Sequence, residues 1–193
     1  MPKVEVFDRA LVLNQVTEVF HLKGYNATSM QDIVDSTGLN RSSIYNSFGN
    51  KMNLFLECLK TYRDDHNRSM SKLFLKAENP LDAINILFEF YINEISKDTD
   101  NKGCLICNCI SEMANQDEAI VSFLMQNQVQ MLNILEDLIN EGQTQGVINK
   151  KQQPRDYAYY LLSSLQGMRT TGVLLEKDAQ LKTIKTAIIQ TIC

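Results

Sequence analysis

Apolar residues recur at helical spacing along the whole chain, and this pattern predicts an all-α protein. In the first segment, Leu13, Val16 and Phe20 stand at positions i, i+3 and i+7 and share one face of a helix. This helix is predicted to run over residues 5–23, and Gly24 is predicted to end it as a C-terminal cap. No stretch keeps the alternation of apolar and polar residues that is typical of a β-strand.

Two short helices are predicted next. Thr28 is the candidate N-cap of the first, and Gln31, three residues later, completes a capping box. Gly38 is expected to end this helix after two turns, and Asn40 to cap a second short helix over residues 41–46. Helix, tight turn and helix within roughly 20 residues match the helix-turn-helix, whose second helix lies in the major groove of DNA.

The remaining sequence predicts a larger helical body. Pro80 and Pro154 are each expected at the start of a helix, because the fixed φ of proline suits that position and its missing N–H costs nothing there. Residues 143–153 form the longest predicted polar connection. We therefore divide the chain into a head (1–50) and a body (51–193). The predicted helices of the body cover 51–76 and 104–114, one begins at 80, one ends at about 142, one begins at 154, and the last includes 181–192.

Charge does not favour nonspecific binding to nucleic acid. The 193 residues carry a formal net charge of -4, with 19 Lys and Arg against 23 Asp and Glu. The first 60 residues balance six positive with six negative side chains. Any DNA binding must therefore come from the local placement of charge, and we expect modest nonspecific affinity with a shallow salt dependence.

Targeting signals are not apparent in the sequence. The apolar runs are too short to cross a bilayer, and acidic residues stand where a secretory signal would carry a basic start. We expect a cytoplasmic protein without a membrane partner. The 5 Cys, an odd number without an export signal, are expected to be reduced thiols.

The second short helix offers polar side chains to DNA. Arg41, Ser42 and Ser43 occupy its first turn, from which side chains reach base edges, and Arg41 can bind guanine through two parallel hydrogen bonds. Tyr45 and Ser47 can reach phosphates. These five residues are the predicted DNA contacts of the helix, of which Arg41, Ser42 and Ser43 are expected to read bases.

Residues outside that helix are predicted to position the protein on the DNA backbone. Thr28 and Ser29 begin the first short helix, where exposed amides and hydroxyls can hold phosphate oxygens. Lys51 begins the following helix and adds an ammonium group. Such contacts fix the register of the protein but read no sequence.

An ordered set of residues in the first third of the chain carries a family resemblance. The set is Phe20-x-x-x-Gly24-Tyr25-x-x-Thr28-Ser29-Met30-x-x-Ile33, then Gly38-Leu39, Ile44-Tyr45-x-x-Phe48 and Lys51-x-x-Leu54. It resembles the N-terminal domain of TetR-type transcriptional regulators. The resemblance implies DNA contacts at Tyr45, Lys51 and residues 41–43, although the family often has a larger residue at the position of Ser47.

The resemblance also implies a homodimer, which usually represses transcription. Two C-terminal helices of each subunit form the family's interface, and the apolar stripes of the last two predicted helices fit that role as well as a core within one chain. Two heads one DNA turn apart would read an inverted-repeat operator. The candidate interface residues are Leu161, Leu165, Met168, Ile184 and Ile188.

A small ligand in the body is the expected signal that releases such a repressor from DNA. We expect an apolar effector of unknown identity, because the candidate lining is mostly apolar with adaptable methionines; the same residues also suit a plain core. The candidate pocket residues are Phe88, Tyr91, Ile92, Asn108, Met113, Phe123, Met125 and Arg169.

Three cysteines lie close together at 104, 107 and 109. On a helix Cys109 is turned about 200° from Cys107, so the three cannot converge on one zinc ion and no metal is expected. Cys104 follows Gly103 at a predicted helix N-terminus, where the helix dipole favours a thiolate, and Cys107 is a candidate resolving partner. The alternative is that these cysteines are small packing residues.

Two other functions compete with a ligand-released repressor. One is a thiol- or electrophile-sensing regulator that uses Cys104 or Cys107 as its input. The other is a helical interaction protein that has lost operator binding, suggested by the neutral head and by Ser47. An enzyme is not expected. The sequence has only two histidines and contains no phosphate-binding or nucleophile motif, so it suggests no catalytic residues and no cofactor.

Overall fold

The computed structural model describes residues 7–175 and 178–193 and confirms the all-α class. Within these residues the chain forms nine α-helices and one 3₁₀ turn at Gly172–Leu174, without a strand, and no helix combines the length and apolar character needed to cross a bilayer. The helices are α1 Arg9–Ala27, α2 Met30–Thr37, α3 Arg41–Phe48, α4 Lys51–Phe74, α5 Pro80–Lys97, α6 Leu105–Met113, α7 Glu118–Gln145, α8 Pro154–Thr171 and α9 Asp178–Ile192.

Several predicted helix ends are confirmed because local side chains cap them. The side chain of Asn40 accepts a hydrogen bond from Ser43 N at the start of α3, and Pro80 opens α5 as predicted. Gly38 ends α2 in the left-handed conformation, with φ 68°. The helix-turn-helix therefore has the predicted turn, although α2 begins one residue later than predicted and α3 continues to Phe48.

The predicted cap of α2 is wrong by one residue. Ser29, not Thr28, is the N-cap, and Asp32 rather than Gln31 completes the capping box. The hydroxyl of Thr28 instead donates to the carbonyl of Gly24 at 2.6 Å and is buried, so the cap passes to the next residue.

Gly24 interrupts α1, as predicted. Its φ of 77° and ψ of 171° are not helical, and the range Arg9–Ala27 joins two helical segments across this kink. The helix begins at Arg9 because Asp8 caps it, and the predicted start at residue 5 lies outside the described residues. The polar connection after α7 is likewise shorter than predicted, because that helix continues to Gln145 and ends at Gly146.

The core forms two clusters, one under the head and one in the body. The head cluster joins α1, α2 and α3 to the first half of α4, to α6 and to the start of α7. The body cluster joins α5 to the rest of α7, to α8 and to α9. The core of the head therefore includes residues beyond 50, such as Phe55 and Met113, and α6 lies on the head side of the molecule.

Candidate DNA-binding surface and cavity

Helix α3 presents a polar face to solvent. Ile44 and Phe48 are 2% and 4% exposed and fix the helix on the head core, which turns Arg41, Ser42 and Tyr45 outward. Asn46 is exposed on the same side, four residues after Ser42. The sequence interpretation missed Asn46, although its spacing from Ser42 was the available signal.

Ser43 and Ser47 are only half-buried and lie at the edges of this face. The carbonyl of Ser47 accepts a hydrogen bond from Arg9 at 3.2 Å. The guanidinium of Arg9 also pairs with Glu57 at 2.7 Å and lies 4.2 Å from the centre of the Phe48 ring. Arg9 therefore holds the end of α3 against α1 and α4.

The start of α2 offers fewer free groups than predicted. Thr28 is 1% exposed and its hydroxyl is engaged inside the head, so its predicted contact with phosphate through the side chain is wrong. Ser29 is exposed, but its hydroxyl donates to Asp32 at 2.7 Å. A hydrogen bond from Lys23 and weaker contributions from Ser29 hold the pKa of the Asp32 carboxyl well below its usual range.

Lys51 lies beside the same corner of the head. Its ammonium group is 4.2 Å from the centre of the Tyr25 ring. Partial burial lowers the pKa of Lys51, while the charges of Glu112 and Asp32 act in the opposite direction. The ammonium group is thus positioned at the first turn of α4 instead of moving freely in solvent.

A cavity of about 480 Å³ lies between the two core clusters. Tyr62, His66, Tyr91, Cys104 and Arg169 are among its lining residues, contributed by α4, α5, the start of α6 and α8. Two predicted pocket residues, Tyr91 and Arg169, therefore meet in one cavity.

The other predicted pocket residues do not line this cavity. For four of them helical periodicity identified a buried face correctly, but that face packs into a core cluster instead of facing the space between the clusters. Met125 is 63% exposed on α7, and Asn108 is exposed with its amide donating to Lys102 O at 2.8 Å. The packed residues are Phe88, Ile92, Met113 and Phe123.

The cavity is more polar than the predicted apolar pocket. Lys97, Lys102 and Arg169 supply positive charge to its lining. The carboxylates along the lining are those of Glu18, Glu94, Asp98, Asp100 and Asp178. An effector for this cavity therefore meets charged and hydrogen-bonding groups.

Cys104 and Arg169 contact each other in the cavity wall. Cys104 is the N-cap of α6, and its Sγ accepts a hydrogen bond from Cys107 N at 3.4 Å. The guanidinium of Arg169 donates to the same sulfur and lies 4.2 Å from the centre of the Tyr91 ring. Burial disfavours a thiolate here, but the Cys107 side chain, the Arg169 charge and the backbone N–H groups outweigh burial and lower the pKa of Cys104.

The remaining thiols differ from Cys104. A hydrogen bond to Cys104 and burial both raise the pKa of Cys107. Burial raises the pKa of Cys58 and of Cys109 to about 12. Cys193 is exposed at the C-terminus. Of the described thiols, Cys104 is the one whose surroundings favour the thiolate.

Helix α6 connects the cavity wall to the head. Its far end carries Glu112, whose carboxylate accepts hydrogen bonds from Tyr25 N at 2.9 Å and Asn26 N at 2.7 Å, just after the kink at Gly24. A Cβ at Gly24 would lie 2.8 Å from that carboxylate and would displace it, and the φ of 77° is one that glycine adopts without strain. Sequence reasoning missed Glu112, because its partners are more than 80 residues away.

The predicted dimer-interface residues belong to the core of their own chain. Leu161, Leu165, Met168 and Ile188 are buried in the body cluster, and Ile184 is partly buried against it. The apolar stripe that suggested an interface therefore packs inside one subunit. The outward side of α8 carries Tyr159, Tyr160, Ser163 and Gly167.

Comparison with known protein families identifies the family to which this chain belongs. Residues 12–58 match bacterial regulatory proteins of the tetR family, and residues 80–188 match the tetracyclin repressor-like C-terminal domain. The chain belongs to the tetR family. As a tetR-family protein it is a DNA-binding transcriptional regulator and not an enzyme.

Relatives cover almost the whole of this tetR-family chain. The transcriptional repressor ComR of Escherichia coli is 26% identical over 181 residues, covering 92% of this chain and 86% of its own. A CifR cysteine mutant complexed with operator DNA matches with a TM-score of 0.86 and 19% identity, covering 100% of both chains. Reduced E. coli NemR matches with a TM-score of 0.85 and 16% identity, covering 96% of both chains.

Proposed function

We propose that the protein is a dimeric repressor that binds an inverted-repeat operator through α3. The observation that carries this proposal is the outward polar face of α3, held in place by Ile44 and Phe48. Similarity to ComR, which is named a repressor, supports repression of transcription and not activation. Similarity to the fold of CifR, solved on operator DNA, supports the mode of binding.

Within this proposal, Arg41 reads guanine and Asn46 reads adenine, because these are the bases that their side chains can bind through two hydrogen bonds. Ser42 and Ser43 lie in the same first turn of α3 and contact neighbouring base edges. The groups that hold phosphates are Tyr45, Ser47, Lys51 and the first-turn amides that follow Ser29.

Dimerisation uses the outward side of α8 together with α9. Tyr159 and Tyr160 supply apolar area, and Ser163 and Gly167 are small enough for close approach of a partner helix. A hydrogen bond of 3.2 Å between Tyr160 and Thr191 ties α8 to α9 in each subunit. The paired heads then face successive major grooves of the operator. This binding takes place in the cytoplasm.

An input at the cavity controls DNA binding. A small molecule there favours a dimer geometry that no longer fits the operator, and a coupling of about 1–3 kcal/mol is enough to change occupancy several-fold. The charged lining favours an effector with polar groups over the apolar molecule expected from sequence. The contact between Arg169 and Cys104 favours a second candidate input, chemical modification of the thiol.

Selection of bound duplexes from a random DNA pool, at low salt and with the purified chain, tests the proposal. Enrichment of an inverted repeat is the expected result. A folded, dimeric sample that enriches no sequence would contradict operator binding and would favour the alternative of a helical interaction protein. Enrichment of a single half-site would contradict the dimeric mode of reading.

A further inference from the structure

We propose that Cys104 and Cys107 form a peroxide-reactive thiol pair, with Cys104 as the attacking thiolate, Cys107 as the resolving thiol and Arg169 as the residue that positions and activates Cys104. This inference rests on the proposed operator binding for its biological effect. Its chemistry does not depend on DNA and can be tested separately.

The geometry places the three groups together. Cys104 caps α6 and Cys107 lies one turn into the helix, with the backbone N–H of Cys107 donating to the Cys104 sulfur at 3.4 Å. Two cysteines at this spacing on a helix N-terminus have the arrangement of a Cys-X-X-Cys pair, in which the first sulfur is the nucleophile. Arg169 donates to that sulfur from α8.

The cavity gives a small oxidant access to Cys104 and not to the other buried thiols. Cys104 is part of the wall of the 480 Å³ cavity, whereas Cys109 is 1% exposed and Cys58 fully buried in the head cluster. The positive charge of Arg169 and the N-terminus of α6 both favour the ionised sulfur. Since the pKa of Cys104 is lowered and those of Cys58 and Cys109 are raised, reaction at Cys104 is selective.

The reaction takes two balanced steps. The Cys104 thiolate attacks one peroxide oxygen, so that an S–O bond forms, the O–O bond breaks and hydroxide leaves. The Cys107 sulfur then attacks the resulting sulfenic acid, an S–S bond forms, the S–O bond breaks, and the hydroxyl leaves as water with the Cys107 proton. The two thiols lose two electrons, and the peroxide is reduced to two waters once the first hydroxide is protonated.

Oxidation changes both ends of α6. The disulfide removes the negative charge that faces Arg169 and the sulfur acceptor that caps α6, which leaves the guanidinium without its counter-ion. Arg169 and the start of α6 must rearrange to restore hydration or pairing. The other end of α6 holds Tyr25 and Asn26 through Glu112, so the rearrangement reaches the helix that precedes the helix-turn-helix.

The chemical test uses the full-length chain with Cys193→Ser, which removes the exposed thiol. After treatment with a small excess of hydrogen peroxide, cleavage at Lys102 and Glu112 and tandem mass spectrometry should find a disulfide between Cys104 and Cys107. Cys107→Ser should stop the reaction at a sulfenic acid on Cys104 that dimedone traps. Cys109→Ser is the matched control and should react like the parent.

A second measurement separates activation by Arg169 from a merely structural role. The rate at which iodoacetamide alkylates Cys104 should change little between pH 8.5 and 6.5 in the parent, because Cys104 stays a thiolate at pH values below the usual pKa of a thiol. Arg169→Gln should slow alkylation at pH 6.5 by about tenfold, and Arg169→Lys should restore much of the rate. Restored reactivity with lysine excludes misfolding as the cause.

Outcomes at the thiols and at DNA distinguish the two proposals. First oxidation at Cys109 or Cys58, or an ordinary thiol pH profile at Cys104, would overturn the thiol pair. Disulfide formation without weaker binding to a selected operator would overturn its regulatory role. Failure of the reduced protein to bind any operator would overturn the proposed function, while the mass-spectrometric result would still decide the thiol chemistry.

Discussion

At the scale of single residues, local patterns predicted the exposed side chains of α3 better than the side chains that line the cavity. Arg41, Ser42 and Tyr45 are exposed as predicted, because their positions relative to the buried Ile44 and Phe48 follow from helical spacing alone. Thr28 was predicted wrongly, because its hydroxyl turns inward to a carbonyl four residues earlier. Such choices between neighbouring polar residues depend on contacts that spacing does not reveal.

Replacement of Arg41 tests direct base reading. Arg41→Ala should weaken binding to the preferred operator by about 1–3 kcal/mol per half-site and should relax preference at one base pair, because the bidentate contact with guanine is lost. Competition titrations against operators changed at single positions measure both effects. Arg68→Ala, which removes the same charge from an exposed site on α4, is the control and should leave affinity unchanged. If Arg41→Ala instead weakened binding equally to every operator variant, Arg41 would contact a phosphate and would not read a base.

At the scale of helices, capping residues predicted most helix ends, whereas the contacts between helices were not predictable. Asn40 and Pro80 act within a few residues of themselves, so sequence alone locates them. Glu112 joins α6 to the end of α1 across more than 80 residues, and nothing in its sequence neighbourhood indicates this. The apolar stripe of α8 was recognised, but its partner was misassigned, because periodicity shows that a face is buried and not what covers it.

Glu112 is expected to couple the cavity to the head. Glu112→Gln keeps the size of the side chain but loses one carboxylate oxygen, so we expect a fall of about 1–2 kcal/mol in the free energy of unfolding. We also expect a smaller change in operator affinity when the protein is oxidised. Chemical denaturation and paired titrations of reduced and oxidised protein measure the two effects.

Glu78→Gln makes the same charge change at an exposed position before α5 and serves as the control for Glu112→Gln. It should leave both stability and the oxidation response close to those of the parent. An oxidation response that survives intact in Glu112→Gln would show that the signal reaches the head by another route.

At the scale of the whole molecule, the placement of charge explains how a chain of net charge -4 binds DNA. In the head, Arg9 is paired with Glu57 and Lys23 with Asp32, while Arg41 and Lys51 stand at the proposed DNA surface. The all-α class, the order of head and body, and the position of the helix-turn-helix followed from sequence. The cavity did not, because it lies between clusters contributed by distant segments.

A shallow salt dependence follows from this charge distribution. Of the two cations at this surface, Lys51 is the one proposed to bind a phosphate, which gives two such contacts in the proposed dimer. Each neutralised phosphate contributes about -0.9, so log affinity should fall with log salt at a slope of about -2. Lys51→Ala should remove most of this slope, whereas Arg41→Ala should change it little. Operator titrations between about 50 mM and 200 mM salt measure this slope. A slope of about -8 would require phosphate contacts from cations outside this surface.

The central claim is that the outward face of α3 and the start of α4 bind operator DNA. The most direct measurement is a fluorescence-anisotropy titration of the selected inverted repeat with the parent chain and with Tyr45→Ala/Lys51→Ala, after circular dichroism has confirmed equal helix content. Our account predicts specific binding by the parent and a loss of about tenfold or more in affinity for the double variant, because phosphate contacts at both half-sites disappear. Equal affinity of the two proteins for the operator would contradict the account.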